Sequence, residues 1–239
     1  MTSPSSALPT IVLVHGAFAE SASWNGVINR LRAAGHRTIA AANPLRSLTT
    51  DAAAVSGLLA TIEGPVVLVG HSYGGAVASN AAVGHDNVKA LVYVAGLAPD
   101  KGETTPDLLG KFPGATLGEH LYEVQLSDGT ADVYVLPECY HEHFAADLPF
   151  DQADLAAVTQ RPFNTSALTE ASGEPAWKTI PSWFISPERD LAIPLETFRF
   201  MAARANARES VEVPGASHAL PASQPQAVAD FILRAAAAV

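Results

Sequence analysis

The stretch that decides the fold is Pro65-Val66-Val67-Leu68-Val69-Gly70-His71-Ser72-Tyr73-Gly74-Gly75-Ala76-Val77-Ala78. Its first five residues are apolar and predict a buried strand, whereas the small residues after Gly74 predict a helix. Residues 70–74 match the G-x-S-x-G pattern of a tight strand-to-helix turn, which is called a nucleophile elbow. Such a turn strains the backbone of the serine and makes its hydroxyl project from the edge of the sheet. The pattern therefore predicts that Ser72 is a nucleophile.

An alternation of strands and helices extends over most of the chain. The predicted strands cover residues 10–14, 36–42, 65–69, 88–94, 182–185 and 210–213, and the predicted helices cover residues 24–34, 50–62, 194–206 and 225–238. Thr50 or Asp51 is expected to cap the second of these helices. Continuous apolar strands that alternate with helices predict an α/β fold, with a mainly parallel sheet and helices on both of its faces.

This alternation stops after Asp100 and returns at Ser182. We expect residues 1–100 and 182–239 to form the core, and residues 101–181 to form a lid over the carboxyl edge of the sheet, where open α/β sheets bind ligands. Residues 133–136, preceded by Asp128-Gly129, predict part of a small hairpin. The lid sequence holds thirteen acidic and four basic residues. Solvated helix faces account for this charge, and the alternative is a lid that repels anionic substrates.

The composition excludes several classes of protein. The chain has 239 residues, 48% of them hydrophobic and 16% charged, which suits one globular domain. A net charge of −10 without a basic patch argues against nucleic acid and anionic membranes as partners. Residues 1–6 lack the features of a secretory signal and are expected to be disordered. A single cysteine, Cys139, fits a reducing compartment, so we expect a cytoplasmic location.

A serine hydroxyl is a weak nucleophile until a base removes its proton. His218 follows the last predicted strand, and we expect it to be that base. Asp190 follows the preceding predicted strand and is expected to orient the imidazole and stabilise its cation. Glu188 is the alternative acid, but the position of Asp190 relative to Ala192-Ile193-Pro194 favours Asp190.

The other histidines are His15, His36, His71, His85, His120, His141 and His143. His15 and His71 lie in glycine motifs, where structural hydrogen bonds are expected, and His36 is expected at the surface. The three within residues 101–181 are expected to be exposed, although contact with substrate stays open for His141 and His143. No partner cluster accompanies this last pair, so we predict no metal site.

The oxyanion that forms during acyl transfer needs two N–H donors. The elbow supplies the N–H of Tyr73. The second donor is expected from the loop after the first strand, where Ala17 is our choice and Phe18 the alternative. Loss of one such donor typically costs about 3 kcal/mol of transition-state stabilisation.

Four groups of residues carry a resemblance to a known family. They are Val14-His15-Gly16-Ala17 with Trp24, Val69-Gly70-His71-Ser72-Tyr73-Gly74-Gly75, Leu91-Val92-Tyr93-Val94-Ala95 with Pro99-Asp100, and Gly215-Ala216-Ser217-His218 with Ser223-Gln224-Pro225. With them, the chain resembles the α/β-hydrolase superfamily over nearly its whole length. It is most similar to the small esterase and hydroxynitrile-lyase branch, which includes plant methylesterases. The order Ser72, Asp190, His218 is the one that this fold requires.

The resemblance implies an α/β-hydrolase fold with an inserted lid, the catalytic residues named above and no cofactor. Lyases of this branch place a lysine directly after the catalytic histidine, where this chain has Ala219. The resemblance therefore favours an esterase over a lyase. Dehalogenases and epoxide hydrolases have an aspartate nucleophile, and the elbow of this chain holds Ser72 instead.

We therefore predict a serine hydrolase for a small carboxylic ester or lactone. Eight aromatic residues within residues 101–181 favour an apolar pocket and a neutral, hydrophobic substrate. The side chains expected to contact the substrate are Phe18, Tyr140, His143, Phe144 and Trp177. Two alternatives stay open on the same triad, namely a ligand receptor and cofactor-free carbon–carbon cleavage or perhydrolysis. The sequence does not determine the oligomeric state.

Overall fold

The computed structural model describes residues 8–239, and the disorder expected over residues 1–6 lies outside them. The strands are β1 (Thr10–Val14), β2 (Thr38–Ala41), β3 (Val66–His71), β4 (Val88–Val94), β5 (Leu121–Gln125), β6 (Ala131–Val135), β7 (Phe163–Asn164), β8 (Ser182–Pro187) and β9 (Glu209–Val213). One sheet has the order β2-β1-β3-β4-β8-β9, and all its neighbouring strands are parallel. The predicted fold class is confirmed.

Helices cover both faces of this sheet. They are α1 (Asn25–Ala33), α2 (Leu48–Leu59), α3 (Tyr73–Ala81), α4 (Thr105–Leu109), α5 (Pro137–Phe144), α6 (Phe150–Thr159), α7 (Thr165–Thr169), α8 (Leu195–Arg204), α9 (Leu220–Ser223) and α10 (Pro225–Ala237). Helices α1 and α10 pack on one face, and α2, α3 and α8 pack on the other. Within residues 8–239, no helix is both long and apolar enough to cross a membrane.

Strand β1 shows why the central strands read as continuous apolar runs. Successive side chains of a strand point to opposite faces of the sheet. Val12 and Val14 therefore join the hydrophobic cluster on one face, while Ile11 and Leu13 join the cluster on the other. Because helices cover both faces, most positions in such a strand have to be apolar.

Helix α2 begins two residues earlier than predicted, and its cap is Ser47 rather than Thr50 or Asp51. The hydroxyl of Ser47 accepts a hydrogen bond from the N–H of Thr50 at 3.1 Å. Asp51 is instead fully buried, where it accepts a hydrogen bond from the hydroxyl of Tyr73 at 2.8 Å. Tertiary contacts therefore decided which of three nearby polar residues caps the helix.

Residues 101–181, here called the inserted segment, connect β4 to β8. Within the segment, β5 and β6 pair antiparallel, which confirms the predicted hairpin, and β7 adds to β6. Buried residues of the segment, among them Val133 and Phe144, belong to the same hydrophobic cluster as α2, α3 and α8. The segment therefore packs against the core rather than extending into solvent.

Specific polar contacts join the inserted segment to the loops at the carboxyl ends of the strands. The N–H of Ala219 donates to the carbonyl of Phe144 at 3.0 Å, and the N–H of Asn164 donates to the carbonyl of Leu45, also at 3.0 Å. These contacts attach the segment to the loops that follow β9 and β2.

Candidate active site

Ser72 lies between β3 and α3 in a backbone conformation that non-glycine residues rarely adopt. Its φ is 53° and its ψ is −128°, and such strain costs of order 1–3 kcal/mol. The surrounding backbone holds it there, because the N–H of Ser72 donates to the carbonyl of Ala95 at 3.1 Å and its carbonyl accepts from the N–H of Leu97 at 3.0 Å.

Two glycines of the elbow are required by close backbone contacts. A Cβ atom on Gly70 would lie 2.4 Å from the carbonyl oxygen of Gly74, and one on Gly74 would lie 2.4 Å from that of Val14. Both distances are shorter than any real carbon–oxygen contact. The glycines two residues before and after Ser72 thus leave the space in which β1, β3 and α3 meet.

Three residues from distant parts of the sequence form a hydrogen-bonded chain. Nε2 of His218 lies 2.8 Å from Oγ of Ser72, and its Nδ1 lies 2.6 Å from Oδ2 of Asp190. Because a carboxylate only accepts hydrogen bonds, Nδ1 carries the hydrogen and Nε2 is left to accept the serine proton. All three side chains are buried, which strengthens these bonds.

The two candidate acids have different surroundings. Oδ1 of Asp190 accepts hydrogen bonds from the N–H groups of Ala192 at 2.7 Å and Ile193 at 2.8 Å, which fixes the carboxylate toward His218. Glu188 is exposed and accepts a hydrogen bond from the N–H of Gly215 at 2.9 Å. Of these two acids, only Asp190 contacts the imidazole of His218.

The loop after β1 lies directly against the elbow. A Cβ atom on Gly16 would be 2.6 Å from Cβ of Ser72, so the next residue, Ala17, borders the same cavity as Ser72 and Tyr73. Tyr73 begins α3, where the first backbone N–H groups have no acceptor within the helix. Its phenol is anchored to Asp51, which fixes the start of the helix.

Ser72 and His218 open into a cavity of about 330 Å³, here called the active-site cavity. The core contributes Ala17, Phe18, Ser72, Tyr73, Leu97, Ala192, Ile193 and His218, and the inserted segment contributes Thr105, Leu109, Gly110, Ala115, Leu117, Gly118, Glu119, Leu121, Val133, Phe144, Phe163 and Leu168. Most of this lining is apolar. Within residues 8–239, no lysine or arginine borders the cavity.

Of the five side chains predicted to contact substrate, Phe18 and Phe144 border the active-site cavity. Trp177 does not, because its buried indole N–H donates to the carbonyl of Pro99 at 2.9 Å. The expectation that it lines the pocket is wrong.

The two remaining side chains, His143 and Tyr140, do not border the active-site cavity. His143 lies 3.2 Å from the hydroxyl of Thr116, and its ring centroid is 3.8 Å from that of His120. The hydroxyl of Tyr140 donates to the carbonyl of Phe18 at 3.0 Å, and this ring borders a different cavity.

Most lining residues of the inserted segment were absent from the sequence-based prediction. Phe163 borders the cavity through β7, where it meets the ring of Phe18 edge to face at 6.1 Å. It was visible only as one aromatic residue among several. Leu109, Leu117 and Leu168 come from three short elements, and no local pattern marks them as neighbours.

The remaining core histidines have structural roles. Nε2 of His15 accepts a hydrogen bond from the N–H of Asn43 at 3.1 Å, and burial lowers the pKa of His15 to about 4. Burial, reinforced by nearby His218, lowers the pKa of His71 to about 3. His36, expected at the surface, is buried, since Pro9 supplies a carbonyl 2.9 Å from its Nδ1.

Comparisons with known proteins agree with the fold. A family model described as "Alpha/beta hydrolase family" matches residues 11–231. The chain is 25% identical over 243 residues to the alpha-hydroxynitrile lyase of Arabidopsis thaliana, covering 92% of this chain and 94% of that protein. It is 26% identical over 264 residues to esterase PIR7B of Oryza sativa subsp. japonica, covering 97% of each. A solved pyrethroid hydrolase from Sphingobium faniae JZ-2 superposes with a TM-score of 0.75 at 25% identity, covering 96% of this chain and 98% of that one.

Proposed function

The chain belongs to the alpha/beta hydrolase family, and we propose that it is a serine hydrolase that cleaves a small, neutral and hydrophobic carboxylic ester or lactone. One observation carries this proposal, namely the hydrogen-bonded chain from Asp190 through His218 to Ser72 at the wall of an apolar cavity. Esterase and pyrethroid hydrolase relatives support ester hydrolysis in general.

In the first half of the reaction, Oγ of Ser72 attacks the ester carbonyl carbon while Nε2 of His218 takes the hydroxyl proton. The carbon–oxygen bond to the alcohol then breaks, and His218 gives that proton to the leaving oxygen. The products of this half are the free alcohol and an acyl group on Ser72. Asp190 stabilises the imidazolium that exists between the two proton transfers.

In the second half, His218 takes a proton from a water molecule, whose oxygen attacks the acyl carbon. The bond to Oγ breaks, the proton returns to Ser72, and a carboxylic acid leaves. The oxyanions of both halves would accept hydrogen bonds from the N–H groups of Ala17 and Tyr73. The N-terminus of α3 adds the favourable end of its dipole at this point.

The lining of the active-site cavity supports a neutral, apolar substrate. Glu119 is the only charged residue at its wall among the described residues, and an anionic acyl group would meet it without a compensating cation. In this proposal the inserted segment acts as the lid, because it contributes more than half of the lining residues.

One relative is a lyase, but the surroundings of His218 favour hydrolysis. Position 219 is an alanine whose N–H is bonded to the carbonyl of Phe144. No lysine or arginine among residues 8–239 borders the cavity. A departing cyanide anion would therefore find no cationic partner.

The decisive experiment replaces the nucleophile. We expect Ser72→Ala to lower kcat on p-nitrophenyl esters by roughly 10⁵-fold or more, as loss of a triad nucleophile does elsewhere. A fluorophosphonate probe should label the wild type at Ser72 and leave the variant unlabelled. Thermal unfolding serves as the folding control. Full turnover by a folded Ser72→Ala variant would overturn the proposal.

The polarity of the substrate needs a separate measurement. Pairs of esters that share an alcohol and differ only by a terminal carboxylate on the acyl chain should show a higher kcat/KM for the neutral member. A preference for the anionic member would contradict the apolar assignment while leaving the serine mechanism intact.

A further inference from the structure

A second cavity of about 250 Å³ lies beside the active site. The loop after β1 contributes Phe18, Ala19, Glu20, Ala22 and Ser23, the inserted segment contributes Tyr140, Phe144, Leu148, Gln152, Leu155, Ala156, Thr159 and Gln160, and His71, Ala219, Pro221 and Ala222 complete the wall. Leu155 is 63% exposed, so this cavity reaches the surface along α6. Ser72 does not border it.

Two phenylalanines separate the second cavity from the active-site cavity. Phe18 and Phe144 border both, and their rings meet edge to face with centroids 6.3 Å apart. Phe18 has a positive φ of 58°, and its carbonyl accepts the hydrogen bond from Tyr140. The partition therefore consists of two side chains on an anchored backbone, and rotation of either ring would join the two cavities.

The wall of the second cavity is mostly apolar and includes His71. The carbonyl of His218 lies 2.9 Å from Nε2 of His71, so Nε2 carries the hydrogen of this neutral ring. The other nitrogen, Nδ1, has no hydrogen-bond partner among the described residues. This nitrogen is itself buried, so the second cavity offers a ligand a mostly apolar wall.

The second cavity adjoins the residues that follow the catalytic base, while His218 itself borders the active-site cavity. Ala219, Pro221 and Ala222, which follow the catalytic base in sequence, form part of its wall. The ring of Phe144 meets that of His218 at 5.0 Å. In the proposed reaction, His218 protonates the leaving oxygen, so the alcohol has to lie next to this residue.

We propose that the second cavity binds the alcohol portion of the substrate, while the active-site cavity binds the acyl portion. This inference rests on the proposed function. The second cavity alone is smaller than the lower end of the sizes of small-molecule sites, about 300 Å³, and the active-site cavity is just above that limit, whereas both together lie well within the range. The substrate class is therefore an ester with a hydrophobic group on each side of the carbonyl, and turnover of its bulky alcohol requires Phe18 or Phe144 to turn aside.

Two isomeric esters test this division. Naphthylmethyl acetate carries its ring on the alcohol, and methyl naphthylacetate carries the same ring on the acid. Ala156→Trp, which fills the second cavity, should lower kcat/KM for naphthylmethyl acetate about tenfold or more and change that for methyl naphthylacetate less than about twofold. Ala115→Trp, which fills the active-site cavity, should have the reverse selectivity. Most of each effect should appear in KM.

Ala171→Trp is the matched control, because this exposed alanine borders neither cavity; it should leave both isomers unchanged. If Ala156→Trp does not fold, Ala156→Leu should act in the same direction with a smaller effect. Equal losses for both isomers, or the opposite selectivity, would overturn the division of the substrate between the two cavities.

Wild-type turnover of p-nitrophenyl acetate tests the proposed function in the same assay. Without that turnover the proposed function fails, whereas turnover without selectivity overturns only the division.

Discussion

The core and the inserted segment organise the same site by different physical means. In the core, close backbone contacts hold Ser72 in a strained conformation. The parallel sheet brings Asp190 and His218 to the same edge. In the inserted segment, short helices and strands supply side chains whose neighbours are distant in sequence. The difference teaches that local backbone geometry positions the reactive groups, whereas long-range packing shapes the space around them.

The two regions also differ in how completely they bury their apolar residues. Every residue of β1 and β3 is buried. Helix α6 of the inserted segment instead leaves three large apolar side chains mostly exposed, namely Phe150, Leu155 and Val158. Substitutions in the segment are therefore expected to be tolerated more often and to change specificity rather than abolish activity.

Among the substitutions that compare the two regions, the largest effect is expected in the core, at Asp190. Asp190→Asn should lower kcat by roughly 10⁴-fold, because an amide in place of the carboxylate favours the wrong tautomer of the catalytic imidazole. Glu188→Gln is the matched control and should change kcat only a few-fold, since Glu188 contacts the N–H of Gly215 and not the imidazole. Steady-state kinetics on one ester measures both. A larger loss in Glu188→Gln would reverse the assignment of the acid.

The second-largest effect concerns the free energy of unfolding, which a single added methyl group should change differently in the two regions. Gly74→Ala places Cβ 2.4 Å from the carbonyl oxygen of Val14, so the free energy of unfolding should fall by about 3 kcal/mol or more. Gly118→Ala in the inserted segment meets no atom within 4 Å and should change stability by less than about 0.5 kcal/mol. Urea unfolding measures both variants. Similar losses would show that the two regions are equally intolerant.

The smallest effect concerns a contact between the regions. Asp147 of the inserted segment accepts hydrogen bonds from both the N–H and the hydroxyl of Ser217, and one from Gln224. Burial alone would raise the pKa of Asp147, but these hydrogen bonds more than offset it and hold the pKa below its ordinary value of 3.8. Asp147→Asn should lower the free energy of unfolding by about 1 kcal/mol at neutral pH.

The sign of the pH dependence follows from the lowered pKa. Stabilisation by ionised Asp147 is complete above the unfolded-state pKa, near 3.8, and is lost as the pH falls from there through the lower folded-state pKa. The difference between wild type and Asp147→Asn should therefore be constant from pH 7 to about pH 4 and shrink below it. Asp154→Asn, at an exposed position of α6, is the control. A difference that grows toward acid pH would contradict this account.

The sequence was most informative where local geometry suffices. The strand at residues 88–94 was predicted with the observed bounds of β4, because all its residues except Lys89 are apolar and buried. Ser72 could be singled out because glycines at fixed spacing are required by contacts between backbones. The positions of Asp190 and His218 followed from strand order, since parallel strands end at one edge. Their roles in catalysis stay a prediction.

The sequence was least informative about the inserted segment. Its aromatic residues follow no period of 2 or 3.6, so nothing local distinguishes Phe163, which borders the active-site cavity, from Trp177, which packs against Pro99. The prediction that His36 is exposed was wrong for a related reason, because the carbonyl that contacts its ring belongs to Pro9, which is distant in the sequence. Such partners are fixed by tertiary structure alone.

The backbone of Ser72 has a consequence for how this protein can evolve. Every folded molecule carries its strain, of order 1–3 kcal/mol, before any substrate arrives. Glycine would adopt the same torsion angles without steric strain, at a smaller cost in backbone entropy, so a mutation that destroys the nucleophile would also relieve much of this strain. Selection for stability alone would therefore favour replacement of this serine, and its retention would require continued selection for the reaction.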